Sequence, residues 1–110
     1  MFDYLILNGQ VIDGTGSPAY RADVGVANGR IAAIGELKTA PAGTVIDAAG
    51  KYVTPGFIDI HRHADAAVFR PGFGELELKQ GLTTIVNGNC GLSVTPCRST
   101  YQKEIRAYLT

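Results

Sequence analysis

Short apolar runs separated by turn residues dominate the first half of the chain. The runs "FDYLILN" and "GQVID" flank Asn8–Gly9, and "ADVGVA" and "RIAAIG" flank Asn28–Gly29. An Asn-Gly pair between alternating runs favours the positive φ values of a tight hairpin, so we predict two hairpins. A further pair of runs, "TVIDA" and "KYVTP", surrounds Ala49–Gly50. Together these segments predict a small antiparallel sheet.

The pattern changes after Pro55. "GFIDIH" is a compact apolar strand, "GELELKQ" has the composition of a short helix, and "LTTIVNGNC" begins as a β-branched strand. Gly81 precedes that strand, where a left-handed residue would end the helix. The connection from His63 to Leu82 is long enough for the crossover that parallel strands require. These segments predict a βαβ unit, with a further helix beginning near Thr100.

Composition limits the class of protein. Of the 110 residues, 45% are hydrophobic and 18% are charged, and ten basic side chains balance ten acidic ones. This balance is typical of a soluble globular protein, and the basic stripe that nucleic acid requires is absent from the sequence. The apolar stretch near the N-terminus is too short for a signal sequence or for a spanning helix of roughly 20 residues. We therefore expect a cytoplasmic protein with no nucleic-acid or membrane partner.

Two histidines close the first predicted strand of the βαβ unit, in "PGFIDIHRH". Side chains alternate along a strand, so Phe57, Asp59, His61 and His63 are expected on one face. The two imidazoles can then converge on one metal ion, for which neutral imidazole is a common ligand. Cys90 follows the second strand, and the carboxyl ends of adjacent parallel strands lie side by side. The sequence therefore predicts a metal site formed by His61, His63 and Cys90.

Each of these residues also has a purely structural interpretation. A lone histidine is commonly a hydrogen-bonded structural residue, and a lone cysteine is commonly a small buried hydrophobe. Their combination at two strand ends favours the metal, because open α/β sheets and barrels place their chemistry there. Cys97 is interpreted as a bystander, although a four-ligand structural site with both cysteines stays open. Asp65 is interpreted as an exposed loop carboxylate, with a role beside the metal or substrate as the alternative. Asp59 is expected to have a hydrogen-bond partner.

The segment "VIDAAGKYVTPGFIDIHRHAD" resembles the opening of the amidohydrolase superfamily, in which a small β-sandwich leads into a TIM (β/α)8 barrel. "GLTTIVNGNCGLSVTP" resembles its N-acyl-D-amino acid deacylase (D-aminoacylase) branch, in which a cysteine after the second strand is a metal ligand. The resemblance implies that residues 1–54 are the N-terminal half of the sandwich and residues 55–110 the first strands and helices of the barrel. It also implies that His61, His63 and Cys90 bind zinc, as one or two ions.

The resemblance further implies that one copy of this chain holds an incomplete site. A TIM barrel takes about 250 residues, and the family draws two more histidine ligands and an aspartate general base from later strands, so we expect the general base beyond Thr110. The implied enzyme is a zinc-dependent hydrolase of the amide bond of N-acyl-D-amino acids, and this chain alone is expected to be inactive. Oligomeric state, acyl group and amino-acid side chain stay open.

Two alternatives accompany this hypothesis. The first is a cyclic-amide hydrolase similar to dihydropyrimidinase or dihydroorotase, which Cys90 disfavours. The second is a non-catalytic metal-binding or interaction module, which the unfinished α/β pattern disfavours. Arg62 and Ala64 differ from the residues that the family has most often at these positions, and this leaves the choice of substrate open.

Overall fold

The computed structural model describes residues 1–109, and the chain divides into two compact units, Met1–Pro55 and Gly56–Thr110. The strands of the first unit are β1 (Phe2–Val11), β2 (Tyr20–Ala27), β3 (Arg30–Gly35), β4 (Ala42–Asp47) and β5 (Tyr52–Val53). The elements of the second unit are β6 (Phe57–Asp59), α1 (Glu75–Lys79), β7 (Leu82–Ile85) and α2 (Gln102–Leu109).

The long strand β1 is the centre of the first unit. β2 pairs with it in antiparallel orientation and carries β3 on its outer side, while β4 and β5 pair in parallel with β1. Apolar side chains from β1 and β2 form the small core, and Leu5, Val11 and Val24 are buried there together with Ala48. The first unit is therefore one mixed sheet.

The hairpin predicted at Asn28–Gly29 is confirmed. Both residues have positive φ, 54° and 69°, and they join β2 to β3. Ala27 pairs with Arg30 directly across the turn. A two-residue hairpin turn needs two successive left-handed residues if its twist is to match that of the strands.

The hairpin predicted at Asn8–Gly9 is wrong, because β1 continues through both residues. Asn8 has a φ of 63°, but here it forms an irregularity in the pairing with β2, between Ile6 and Gly9. The backbone N–H of Asn8 donates to Oδ1 of Asp23 at 2.8 Å in place of a ladder partner. A Cβ at position 9 would lie 2.5 Å from Val53, so the glycine is needed for close packing of β5.

The antiparallel pair predicted around Ala49–Gly50 is also wrong. β4 and β5 pair with β1 in succession and in the same direction, with Leu5 opposite Val45 and Gln10 opposite Tyr52. The turn between them is closed by the N–H of Lys51, which donates to the carbonyl of Ala48 at 2.9 Å. The chain resumes its earlier direction after this turn, so β4 and β5 both pair with β1 and do not pair with each other.

The strand, helix and strand predicted after Pro55 are confirmed, since β6 and β7 pair in parallel and α1 lies between them in the chain. Gly81 has a φ of +82° one residue past the C-cap of α1, as predicted. The helix predicted near Thr100 is α2, which follows a 3-10 turn at Ser99–Tyr101. Among the described residues, no helix has the length and apolar composition to cross a lipid bilayer.

The sheet of the second unit leaves large apolar side chains uncovered. Ile58 is 61% exposed and Ile60 is 75% exposed, and both come from or follow β6. Parallel strands are normally covered on both faces, so these side chains lack the neighbours that such strands usually have.

Candidate metal site

The first strand of the βαβ unit ends earlier than the sequence predicts. β6 stops at Asp59, and His61 and His63 lie in the irregular segment that follows. Oδ1 of Asp59 accepts a hydrogen bond from the backbone N–H of His61 at 3.1 Å, which turns the chain away from the strand path. Asp59 also lies 3.8 Å from Nη1 of Arg62. The expected partner of Asp59 is thus confirmed, but strict strand alternation through His63 is wrong.

The two imidazoles nevertheless lie against each other. Their ring centroids are 5.3 Å apart and the ring planes meet at 73°. Sγ of Cys90 lies 3.5 Å from Nε2 of His61, and one ligand atom from each of His61, His63 and Cys90 lies within 4.8 Å of the other two. All three side chains are exposed. The structure therefore brings together the three residues that the sequence singles out.

The separation between Cys90 and His61 suits a zinc ion bound by both residues. Tetrahedral zinc has bonds of about 2.0–2.1 Å to histidine nitrogen and about 2.3 Å to cysteine sulfur, so a bound sulfur and nitrogen lie roughly 3.6 Å apart. The observed Cys90–His61 separation is 3.5 Å. Two imidazoles and a thiolate also have the donor softness that zinc prefers over magnesium or calcium. The chemistry of the three donors and the Cys90–His61 separation both fit this metal.

Cys90 is held in an unusual backbone conformation. It lies in the 3-10 turn Asn89–Gly91, with φ of 56° and ψ of 24°, in the left-handed region. A side chain with a Cβ rarely adopts this region, and its presence requires that the surroundings fix it. The turn places the thiol beyond the end of β7, beside the histidine segment.

Hydrogen bonds join the histidine segment to the loop that carries Cys90. The N–H of Arg62 donates to the carbonyl of Val86 at 3.1 Å, and Nδ2 of Asn89 donates to the carbonyls of Arg62 and Val86 at 3.2 and 2.7 Å. The N–H of Ala64 donates to Oδ1 of Asn87 at 3.3 Å. Sequence reasoning does not single out these two asparagines. The signal that could have found them is "NGN" directly before the candidate ligand, since asparagine readily bonds nearby backbone groups in loops.

Asp65 and Cys97 have different surroundings from the three clustered residues. Asp65 is only 7% exposed, and its Oδ2 accepts a hydrogen bond from the N–H of Gly88 at 3.3 Å. The expected exposed loop carboxylate is therefore wrong, because Asp65 bonds to the loop that carries Cys90. Sγ of Cys97 lies 3.1 Å from the carbonyl of Arg98, and within the described part of the chain this thiol is not in the cluster.

A cleft of about 440 Å³ opens beside His63. Its lining includes Asp65, Arg70 and Tyr108. This volume lies in the range of small-molecule sites. The second unit therefore offers open space next to a candidate metal ligand.

Comparison with known proteins places the chain in a family. Residues 44–104 match the Amidohydrolase family. An N-acyl-D-glutamate deacylase of Alcaligenes xylosoxydans xylosoxydans is 53% identical over 95 residues, which are 86% of this chain and 19% of that protein. A D-aminoacylase of the same organism is 48% identical over 95 residues, covering 86% of this chain and 20% of that protein.

A solved structure gives the same result. The crystal structure of N-acyl-D-glutamate deacylase from Bordetella bronchiseptica, complexed with zinc and a phosphonate mimic of the tetrahedral intermediate, matches with a TM-score of 0.82 and 51% identity over 87% of this chain and 20% of that one. The chain spans about a fifth of the length of the relatives it matches. Because the family match covers more than half of its residues, this chain belongs to the amidohydrolase family.

Proposed function

We propose that this chain supplies metal ligands to a zinc-dependent hydrolase that cleaves the amide bond of N-acyl-D-amino acids. The observation that carries the proposal is the convergence of His61, His63 and Cys90 within 4.8 Å. The relatives named as deacylases support the substrate class, and the zinc in the Bordetella bronchiseptica structure supports the metal.

The three side chains would bind one or two zinc ions. His61 and His63 would occupy one metal position, and Cys90 would hold or bridge the other. When bound, zinc supplies Lewis acidity for an amide carbonyl and lowers the pKa of a water molecule toward about 7. Cys90 is a charged, soft ligand and should contribute most to tight binding.

The chain by itself would not complete this chemistry. His61 and His63 are its only histidines, so two further histidine ligands would have to come from outside these 110 residues. The aspartate that takes and returns the proton would likewise lie outside them. We therefore expect no turnover by the 110-residue chain, even after zinc loading.

The same proposal extends to the fold. Residues 1–54 would be the N-terminal half of a β-sandwich, and residues 55–110 the first strands and helices of a TIM barrel. The parallel pairing of β6 with β7 supports the barrel, as does the position of His61 and Cys90 after the carboxyl ends of these strands. TIM barrels place their active sites at that end.

Metal content and substrate preference test the proposal together. In the full-length enzyme, Cys90→Ala should remove tightly held zinc measured by mass spectrometry, while Cys97→Ala, as the matched control, should retain it. His61→Ala or His63→Ala should lose the weaker metal position first. Equal loss in both cysteine variants would favour a four-ligand structural site.

Substrate preference separates the remaining alternatives. The full-length enzyme should hydrolyse N-acetyl-D-amino acids and leave dihydrouracil intact. Hydrolysis of dihydrouracil alone would instead support a cyclic-amide hydrolase. Zinc binding without turnover of either compound would support a non-catalytic module.

A further inference from the structure

We propose that Asn89 is a positioning residue that sets the sulfur of Cys90 beside the histidines before any metal binds. The inference rests on the proposed metal site and goes beyond it, because Asn89 itself would not touch the metal. Asn89 would bring two separate chain segments together, so that their side chains form one ligand cluster.

The side-chain amide of Asn89 connects the two ligand segments. An amide nitrogen has two hydrogens, and both are used, toward the carbonyl of Val86 at 2.7 Å and that of Arg62 at 3.2 Å. Val86 directly follows β7, and the carbonyl of Arg62 belongs to the peptide that leads into His63. One side chain thus fixes the end of the second strand to the middle of the His-Arg-His segment.

The backbone around Cys90 explains why such a tether is needed. Cys90 is left-handed at φ 56°, a conformation that a residue with a Cβ rarely adopts. Gly88 and Gly91 lie close on either side, with φ of 80° and 75°. Glycines leave a loop free to take other conformations, so bonds from Asn89 are what would hold Cys90 in place.

An isosteric variant separates this role from a simple charge effect. Asn89→Asp keeps the size of the side chain but removes both N–H donors. It also adds a negative charge near a cation site, which on electrostatic grounds alone would strengthen metal binding. The proposal predicts the opposite sign, because the two carbonyls lose their donors and the loop is released.

Cobalt titration measures this effect directly. Co²⁺ is added to the metal-free full-length enzyme, and the near-ultraviolet charge-transfer absorption of a cobalt-bound thiolate is followed, with dissociation constants obtained by competition with a chelator. Cys90→Ala should abolish the absorption. Asn89→Asp should weaken binding 10- to 100-fold, the effect typical of losing an outer partner of a ligand. Asn28→Asp, in the exposed turn of the other unit, makes the same chemical change as a matched control and should bind like wild type.

Amide hydrogen exchange in the metal-free chain gives an independent measurement. The N–H of Leu92 donates to the carbonyl of Asn89 at 3.0 Å, and the N–H of Val86 donates to the carbonyl of Asp59 at 2.8 Å. Asn89→Ala should speed exchange at Leu92 and leave Val86 protected. Loss of protection at both amides would assign Asn89 a general folding role and overturn the proposal.

The possible results are distinguishable. If wild type shows no thiolate absorption with Co²⁺, the proposed metal site fails, and amide exchange still decides whether Asn89 holds the loop. If wild type shows the absorption and Asn89→Asp binds Co²⁺ as tightly or more tightly, the metal site stands and the positioning role is overturned.

Discussion

Nη2 of Arg62 lies 2.5 Å from Oε1 of Glu77, so an ion pair connects the residue between the two histidines to helix α1. The carboxylate end of this pair is well covered, since the side chain of Glu77 is 13% exposed. A second ion pair on the same helix, Lys79 with Glu75 at 2.8 Å, is exposed at both ends. The two pairs differ in burial and in what they join.

Removing the charge of Glu77 should destabilise the chain more than removing that of Glu75. Glu77→Gln leaves the guanidinium of Arg62 without its closest carboxylate, at a cost of about 1–3 kcal/mol in the free energy of unfolding. Glu75→Gln, the control on the same helix, should change it by less than about 1 kcal/mol because exposed pairs contribute little. Urea denaturation measures both values. Equal losses would show that the Arg62–Glu77 pair contributes no more to stability than the exposed Lys79–Glu75 pair.

Replacing Arg62 by lysine should leave metal content unchanged. The guanidinium reaches Glu77 and, at 3.8 Å, Asp59, while the backbone of Arg62 makes the contacts to the Cys90 loop. Lysine keeps the charge but lacks the planar fork that can face two carboxylates. We expect a zinc-to-protein ratio equal to wild type and a loss of stability of about 1 kcal/mol. A lower zinc ratio would indicate that the guanidinium itself orients the ligands.

A side chain at position 56 should disrupt the pairing of the two parallel strands. A Cβ on Gly56 would lie 2.6 Å from Cβ of Thr83, closer than atoms of a packed core approach. Gly56→Ala should therefore cost about 1–3 kcal/mol in unfolding free energy, as overpacking typically does. Thr83→Gly should cost less in the Gly56→Ala background than alone, and a double-mutant cycle measures this coupling. Additive effects would contradict the close approach.

The stability of the first unit should depend on pH through Asp23. Backbone N–H groups of Asn8 and Leu37 donate to its carboxylate at 2.8 and 2.9 Å, and they hold the pKa of Asp23 below its usual value. A carboxyl group with a lowered folded pKa contributes stability above its unfolded pKa and loses it as pH falls through the folded value. Unfolding free energy should therefore decline as the solution is acidified below the ordinary aspartate pKa of about 3.9.

A variant isolates this contribution. Asp23→Asn places an N–H against one of the two partly buried N–H donors, which should cost about 1–3 kcal/mol in the free energy of unfolding at neutral pH. The difference between wild type and variant should shrink at pH values below the folded pKa. Glu36→Gln is the control, because it makes the same chemical change at an exposed carboxylate of the same unit. A difference that stays constant with pH would rule out the role of Asp23.

Two identical dipeptides show where local sequence stops being informative. Asn28–Gly29 forms the hairpin that its composition predicts, whereas Asn8–Gly9 forms an irregularity inside a continuous strand. In both pairs the asparagine is left-handed. The difference lies in the glycine, which at position 9 is required by the approach of Val53, forty-four residues later in the chain. The parallel pairing of β4 and β5 depends on similar long-range contacts and has no local signal.

The candidate site also has features that local sequence predicts and features that depend on long-range contacts. The residue types and spacing of His61, His63 and Cys90 are enough to mark them as candidate ligands, because the ability to bind a metal is a property of the side chain. The burial of Asp65 and the donors of Asn89 depend on how two loops meet after β6 and β7. Sequence alone predicts which residues can bind a metal, and the fold shows which residues hold them there.

The central position of β1 has a consequence for biosynthesis. About fifteen residues separate the end of β2 from the start of β4, so on the ribosome one edge of β1 stays without a partner after β2 can pair with the other. At about 5–20 residues per second, this interval lasts roughly 1–3 s. An unpaired strand edge is a template for association with other chains. The nascent protein would depend most on chaperones before Ala42–Asp47 has emerged.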